Sequence, residues 1–112
     1  MVVPAQMDDA IEKIYLSQDF DAAAVLDYRN HNTDVVVQFV SGRRFIATFF
    51  TYQNIETIVQ QNETSGDFLA GKYFWANNML LLDDCSLPSV TAVVRELLEE
   101  GEFHQVFKSL NE

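Results

Sequence analysis

The sequence is poor in residues that interrupt regular structure. It contains four glycines and two prolines among 112 residues, which argues against a chain dominated by loops. Hydrophobic residues make up 48% and charged residues 21% of the chain, an ordinary globular composition that excludes disordered, collagen-like and low-complexity classes. Because a second core would leave only about 55 residues for each half, we expect one domain over residues 1–112.

Cysteine and basic residues are also scarce. Cys85 is the single cysteine, so no intramolecular disulfide is possible. Seven Lys and Arg stand against 17 Asp and Glu, which gives a formal net charge of −10. Nucleic-acid binding and adhesion to anionic membranes both depend on clustered cations, and Arg43-Arg44 is the only basic pair, so we expect neither. The excess of acidic residues has two interpretations. It provides solubility, or it steers the chain electrostatically toward a basic partner.

Long apolar runs and a basic leader are missing as well. The first residues, MVVPAQMDD, lack the basic region and the long apolar core of a signal peptide. The longest apolar runs, such as residues 79–82, are far shorter than the ~20 residues of a membrane span. A cytoplasmic location is therefore the expectation.

Two β-branched and aromatic runs separated by Ser41-Gly42 predict a β-hairpin over residues 35–50. A two-residue loop would pair Val40 with Arg43. A three-residue loop with Gly42 in the left-handed conformation would pair Phe39 with Arg43. We prefer this second register because it gathers apolar side chains on one face. That face consists of Val35, Val37, Phe39, Phe45, Ala47 and Phe49.

The opposite face of the hairpin is mixed, yet too apolar for plain exposure to solvent. We expect Val36, Ile46 and Phe50 on this face to form the interface of a homodimer, because monomers rarely expose large apolar patches. Since each protomer carries the same negative charge, added salt should strengthen the association. A third strand is predicted over residues 72–75, continuing at 79–82. Its Tyr73 and Trp75 share one side and are further candidates for a pocket or an interface.

Apolar residues at helical spacing predict helices before and after the hairpin. The expected helices are residues 5–16, a short helix within 19–26, 52–61 after the N-cap Thr51, one between Ser86 and Gly101, and one beginning at Glu102. The strongest stripe is Val90, Val93, Val94, Leu97 and Leu98. The order α(α)ββαβαα predicts an α+β domain, with a small antiparallel sheet of one hairpin and a third strand, and flanking helices mainly on one sheet face.

Residues able to carry catalysis do not form a recognisable motif. His31 and His104 are the only histidines, and no C-x-x-C, H-E-x-x-H, G-x-S-x-G or P-loop spacing occurs. Cys85 with Asp83, Asp84 and one histidine would be an imaginable set of metal ligands. The commoner arrangement is a half-buried thiol after a strand, with acids at the start of a helix. We expect no enzyme, no cofactor and no metal.

Three parts of the chain together carry a resemblance. They are residues 33–37 leading into 42–51, residues 71–79, and residues 97–103. This set resembles a family of small acidic bacterial proteins of uncharacterised function, over roughly Thr33 to Leu110. Proteins of this kind are often carried on accessory or mobile gene segments, and some behave like immunity proteins that bind and block a cognate toxin. The resemblance implies no catalytic residues.

The first functional hypothesis is a non-enzymatic binding protein of the immunity or inhibitor type, whose acids dock on a basic toxin. The candidate contact residues are Asp83, Asp84, Glu99, Glu100 and Glu102. One alternative is a homodimeric structural or accessory protein of mobile-element origin. Another is a small ligand-binding domain or enzyme with a pocket near Tyr73 and Trp75.

Overall fold

The computed structural model describes residues 10–17 and 27–111, which form an α+β fold. Its strands and helices follow one another in the order given next. They are β1 (Ile11–Leu16), β2 (Asn32–Phe39), β3 (Arg44–Thr51), α1 (Tyr52–Ser65), α2 (Asp67–Gly71), β4 (Met79–Leu82), α3 (Leu87–Glu100), α4 (Phe103–Val106) and β5 (Lys108–Ser109).

The strand β3 lies at the centre of a five-stranded sheet. On one side, β1, β2 and β3 form an antiparallel meander. On the other side, β5 runs antiparallel to the beginning of β3, and β4 runs parallel to its end. The β4 strand is parallel because the chain first returns through α1 and α2, and parallel neighbours require such a crossover. The sheet is therefore antiparallel except for the β3–β4 pair, and it is larger than the predicted three strands.

The hairpin of β2 and β3 has the predicted register. The backbone N–H of Phe39 donates to the carbonyl of Arg43 at 2.9 Å, and Val37 pairs with Phe45. Gly42 has a φ of +95°, the left-handed conformation that the three-residue loop requires. All six residues of the predicted apolar face are buried. Turn geometry and side-chain pattern thus agree on one register.

This apolar face is covered by α3 and α4, which complete the core. Val90, Val94 and Leu97 of α3 are buried, as the helical stripe predicts, whereas Val93 is half-buried and Leu98, at the edge of the stripe, is exposed. Phe103 packs edge-on against Phe45 with ring centroids 5.4 Å apart, and it stacks on Phe107 at 4.4 Å. The α3 helix ends where Gly101 adopts a φ of +75°, as expected for its C-terminal cap.

The predicted helix over residues 5–16 is wrong for its second half, which forms β1. Ile11 and Ile14 are three residues apart, the spacing that indicated a helix. A β-bulge between Ile11 and Lys13 shifts the alternation, so that Ile11 pairs with Phe39 and Ile14 with Val37 on the same sheet face. Residues 5–9 of this prediction, and the short helix predicted within 19–26, lie outside the described residues.

The predicted third strand is wrong over residues 72–75, which are irregular, and right over 79–82, which form β4. The α1 helix begins after Thr51 as predicted, but it continues to Ser65, beyond the predicted end at residue 61, and α2 follows it directly.

The predicted last helix is also shorter than expected. It ends at Val106 because Phe107 is extended, and β5 follows. With these corrections the predicted order α(α)ββαβαα becomes βββααβααβ among the described residues.

Candidate functional site

Both ends of α1 are fixed by local chemistry, and this determines where the following segment lies. At its start, the hydroxyl of Thr51 accepts the backbone N–H of Asn54 at 3.1 Å, which satisfies one of the unpaired donors of the first turn. At its end, Gly66 adopts a φ of +89° and its N–H donates to the carbonyl of Asn62. The chain therefore turns sharply at Gly66 and runs back along the last turns of α1.

The segment that follows, α2, contains three consecutive residues in the left-handed helical region. The φ values of Phe68, Leu69 and Ala70 are +53°, +54° and +57°. This conformation costs an L-residue roughly 1–2 kcal/mol. Two hydrogen bonds of helical spacing hold the turn, from Ala70 N–H to the Gly66 carbonyl and from Lys72 N–H to the Phe68 carbonyl, both 3.1 Å. The turn leaves Leu69 with 69% of its surface exposed.

An aromatic chain anchors this turn to the sheet. The ring centroid of Phe68 lies 5.2 Å from that of Tyr73 and 5.1 Å from that of Phe74. Phe74 in turn packs edge-on against Phe50 of β3 at 5.5 Å. We call residues 67–75 the aromatic loop. It is fastened to the domain through Phe68 and Phe74.

The two predicted interface aromatics lie on the outside of this loop. Tyr73 is 50% exposed and Trp75 is 60% exposed, while Phe74 between them is half-buried. Residues 72–75 form no strand, so the strand face that Tyr73 and Trp75 were expected to share does not exist, although both side chains are exposed. What sequence reasoning missed is the left-handed turn before them. The flanking pair Gly66 and Gly71 was its only signal.

The other predicted interface residues lie on the sheet face opposite α3. Val36 and Ile46 are half-buried there, directly paired between β2 and β3. Phe50, however, is only 6% exposed, because the aromatic loop covers it through Phe74. Among the described residues, the middle of this face forms a shallow groove of about 470 Å³. The groove is lined by Tyr15, Leu16, Ser17, Asp34, Val36, Gln38, Arg44 and Ile46.

The five predicted acidic contact residues are not brought together. Asp83 and Asp84 precede the first residue of α3, whereas Glu99, Glu100 and Glu102 lie at its other end. At 1.5 Å per residue, this 14-residue helix separates the two groups by about 21 Å. A single small contact therefore involves one group or the other.

Asp84 has a local structural partner. Its carboxylate accepts the Ser86 hydroxyl at 2.6 Å and the Ser86 backbone N–H at 2.9 Å. The hydrogen bonds from Ser86, with a further contribution from Ser89, lower the pKa of Asp84 below its usual range. Ser86 occupies the predicted N-cap position, yet its side chain bonds Asp84 and not the helix backbone. Asp84 therefore organises the start of α3.

Cys85 is fully buried beside the sheet. Its thiol lies 3.6 Å from the carbonyl oxygen of His31 and 3.8 Å from that of Phe49. Burial raises the pKa of the thiol to about 11, with a smaller effect of the neighbouring Asp84. At neutral pH the sulfur is therefore protonated, and only a thiolate is a strong nucleophile or metal ligand. Within residues 10–17 and 27–111, no three His, Cys, Asp or Glu side chains form a metal-binding group.

Comparisons of the chain with protein-family models, curated proteins and solved structures give no match. Among the described residues, no helix has the length and apolar character needed to cross a membrane.

Proposed function

We propose that this protein is a non-enzymatic protein-binding module whose contact surface is the aromatic loop. One observation carries the proposal: Leu69, Tyr73 and Trp75 are 69%, 50% and 60% exposed within seven residues of chain. Exposing several large hydrophobic side chains costs solubility and folding free energy unless a partner covers them. Tyr and Trp are also the residues that most often dominate binding energy at protein interfaces.

The backbone of the loop supports the same reading. Strained left-handed residues persist only where the surrounding structure enforces them, and they concentrate at functional sites. Here the strain at Phe68 and Leu69 is balanced by the packing of Phe68 against Tyr73 and Phe74. A loop fixed before binding loses little conformational entropy when a partner arrives, which favours affinity.

The partner that this surface suits is a basic protein. Asp67 begins α2, and Glu63 reaches the loop from α1, with its Cγ 3.0 Å from the position of a Cβ on Gly71. Lys72 is the one cation within the loop. Together with the net charge of −10, these carboxylates favour a cationic partner and speed its association. The resemblance to immunity-like proteins makes a basic toxin the partner class to test first.

Site-specific photocrosslinking in the source cells tests the contact surface. A photoreactive benzoylphenylalanine replaces Trp75 in one variant and Val40 in the other. Val40 is a matched control because it is 64% exposed in the hairpin turn, far along β3 from the loop. We expect one discrete crosslinked protein from position 75 and none from position 40. Equal crosslinking from both positions, or none from position 75, would contradict the proposed surface.

The product of an adjacent toxin gene, where one exists, is the partner to measure directly. Trp75→Ala should weaken binding to it by roughly 30-fold or more, the usual size of an interface hot spot of about 2 kcal/mol. Val40→Ala should leave the affinity unchanged. Asp83→Asn and Glu99→Gln then show which end of α3 contributes charge. The hypothesis fails if the toxin binds both Trp75→Ala and the parent chain equally.

A further inference from the structure

The open face of the sheet carries an unusual share of the positive charge of this acidic protein. Register places Lys13 of β1 opposite Gln38, and Lys108 of β5 opposite Ile46, so their side chains share the face with Arg44. Three of the seven basic residues therefore lie on one face of a chain of net charge −10, with Lys13 and Arg44 at the Gln38 end and Lys108 beside Ile46 in the middle. This clustering does not follow from the sequence, in which positions 13, 44 and 108 are far apart.

The face also carries carboxylates. Glu12 lies at the same end as Lys13 and Arg44, where it accepts a hydrogen bond from the Gln38 side chain at 2.9 Å, so two cations stand against one carboxylate at this end. Asp34 lies at the opposite end and accepts the Thr48 hydroxyl at 3.0 Å. Between these ends, Val36 and Ile46 form an apolar floor with Tyr15 beside them. The groove thus has an apolar middle, with Arg44 at one end and Asp34 at the other.

The position of Arg44 in the groove is fixed by its backbone. Its N–H donates to the Asn111 side chain at 2.6 Å, and its carbonyl accepts the Leu110 N–H at 2.8 Å. Lys13 is similarly placed by its ammonium group, which lies 4.6 Å from the centroid of the Tyr15 ring. Contacts with the neighbouring chain therefore hold both Arg44 and Lys13 in place on this face.

We propose that this groove binds an amphipathic anion, a small molecule with an apolar body and one carboxylate, sulfonate or phosphate group. The body would cover Val36 and Ile46, and the anionic group would bind Arg44, whose guanidinium suits two parallel hydrogen bonds to such oxygens. The volume of about 470 Å³ falls in the usual range of small-molecule sites. The site is separate from the aromatic loop and does not depend on its function.

A second copy of the chain suits this face less well. With Phe50 covered, the apolar residues that the strand pairing leaves on it are Tyr15, Val36, Ile46, Met79 and Leu81, still far fewer than the roughly 20–30 residues that a stable interface contributes on each side. A second copy would also bring the same excess of cations to the contact. A small anion avoids both difficulties.

Two fluorescent probes test the proposal on the full chain. One is 1-anilinonaphthalene-8-sulfonate, and the other is N-phenyl-1-naphthylamine, which has the same rings without the anionic group. We expect saturable binding of the sulfonate, weakened roughly tenfold by Arg44→Gln, the usual effect of losing a charge-assisted hydrogen bond. Arg95→Gln on the exposed side of α3 removes the same charge elsewhere and should change nothing. The neutral probe should be insensitive to both substitutions.

Amide chemical shifts locate the bound sulfonate. They should move at Tyr15, Val36 and Ile46 and stay constant in the aromatic loop, and Trp75→Ala should leave the affinity unchanged. Circular dichroism checks that Arg44→Gln is folded. No binding, equal binding by Arg44→Gln and Arg95→Gln, or shifts confined to the aromatic loop would each overturn the proposal. A sedimentation mass of twice 12.8 kDa, with the groove residues protected from solvent, would also overturn the proposal.

Discussion

Gly71 packs directly on the carbonyl oxygen of Val59. A Cβ at position 71 would lie 2.7 Å from that oxygen and 3.0 Å from the Cγ of Glu63. Gly71 also has a φ of +83°, so two independent constraints, conformation and space, require glycine here. This contact lets the aromatic loop lie close against α1, and it connects the left-handed turn to the helix before it.

Gly71→Ala should therefore destabilise the fold by about 2–4 kcal/mol, from the left-handed conformation together with an overpacked contact to backbone. Gly42→Ala is the matched control, since Gly42 has a φ of +95° but nothing within 4 Å of an added Cβ. It should cost about 1–2 kcal/mol. Urea unfolding of both variants measures the difference. Equal losses would show that the Val59 contact does not constrain position 71.

At the neighbouring Ala70, the left-handed turn predicts a substitution that increases the stability of the fold. Ala70 is exposed with a φ of +57°, a conformation that glycine adopts without strain. Ala70→Gly should stabilise the protein by up to ~1 kcal/mol, because relief of strain exceeds the added entropy of the unfolded chain. Ala92→Gly, at an exposed position within α3, should instead destabilise by ~1 kcal/mol. Thermal and urea unfolding compare them. Loss of stability in both variants would contradict the left-handed assignment.

The parts of the fold that were predictable from sequence are those where local pattern and local geometry agree. The Ser41-Gly42 turn and the alternation on either side of it specify one register. The stripe of α3 between Ser86 and Gly101 repeats at helical spacing and is bounded by capping residues. In both cases the information lies within about fifteen neighbouring residues.

The errors come from places where short-range pattern is ambiguous. Ile11 and Ile14 have helical spacing, yet a bulge in β1 produces the same grouping on a sheet face. The left-handed turn at Phe68 contradicts the propensity of its residues, and two backbone hydrogen bonds together with packing against Tyr73, Phe74 and α1 maintain it. The groove on the open face could not be predicted from sequence, because it depends on the strand order. That order places β5 and β1 on either side of the β2–β3 hairpin.

The core stripe of α3 offers a direct comparison of buried and exposed leucine. Leu97 is 8% exposed and packs in the core, whereas the adjacent Leu98 is 37% exposed. Leu97→Ala should cost about 2–5 kcal/mol, the range for deleting a buried leucine side chain. Leu98→Ala removes the same atoms and should cost less than about 1 kcal/mol. A urea titration in which both variants lose the same free energy would show that α3 does not pack on the sheet through Leu97.

The burial of Cys85 predicts that the free energy of unfolding falls at alkaline pH. Burial raises the pKa of its thiol from the ordinary value of 9.0 to about 11. In the unfolded chain the thiol loses its proton near pH 9, while in the folded protein it keeps the proton until about pH 11. The folded state therefore binds more protons in this interval, and the free energy of unfolding falls as pH rises through it.

The contribution of the thiol is complete below about pH 9 and lost above about pH 11, and it amounts to roughly 3 kcal/mol. Cys85→Ala is the matched control, because it removes the thiol and keeps every other ionisable group of the chain. Urea unfolding at pH 8 and pH 10.5 should show the parent chain losing more stability than Cys85→Ala. The thiol should also react slowly with a disulfide reagent at pH 8 until urea is added. Rapid reaction in the native state, or identical pH dependence of the two chains, would show that Cys85 is not held protonated by burial.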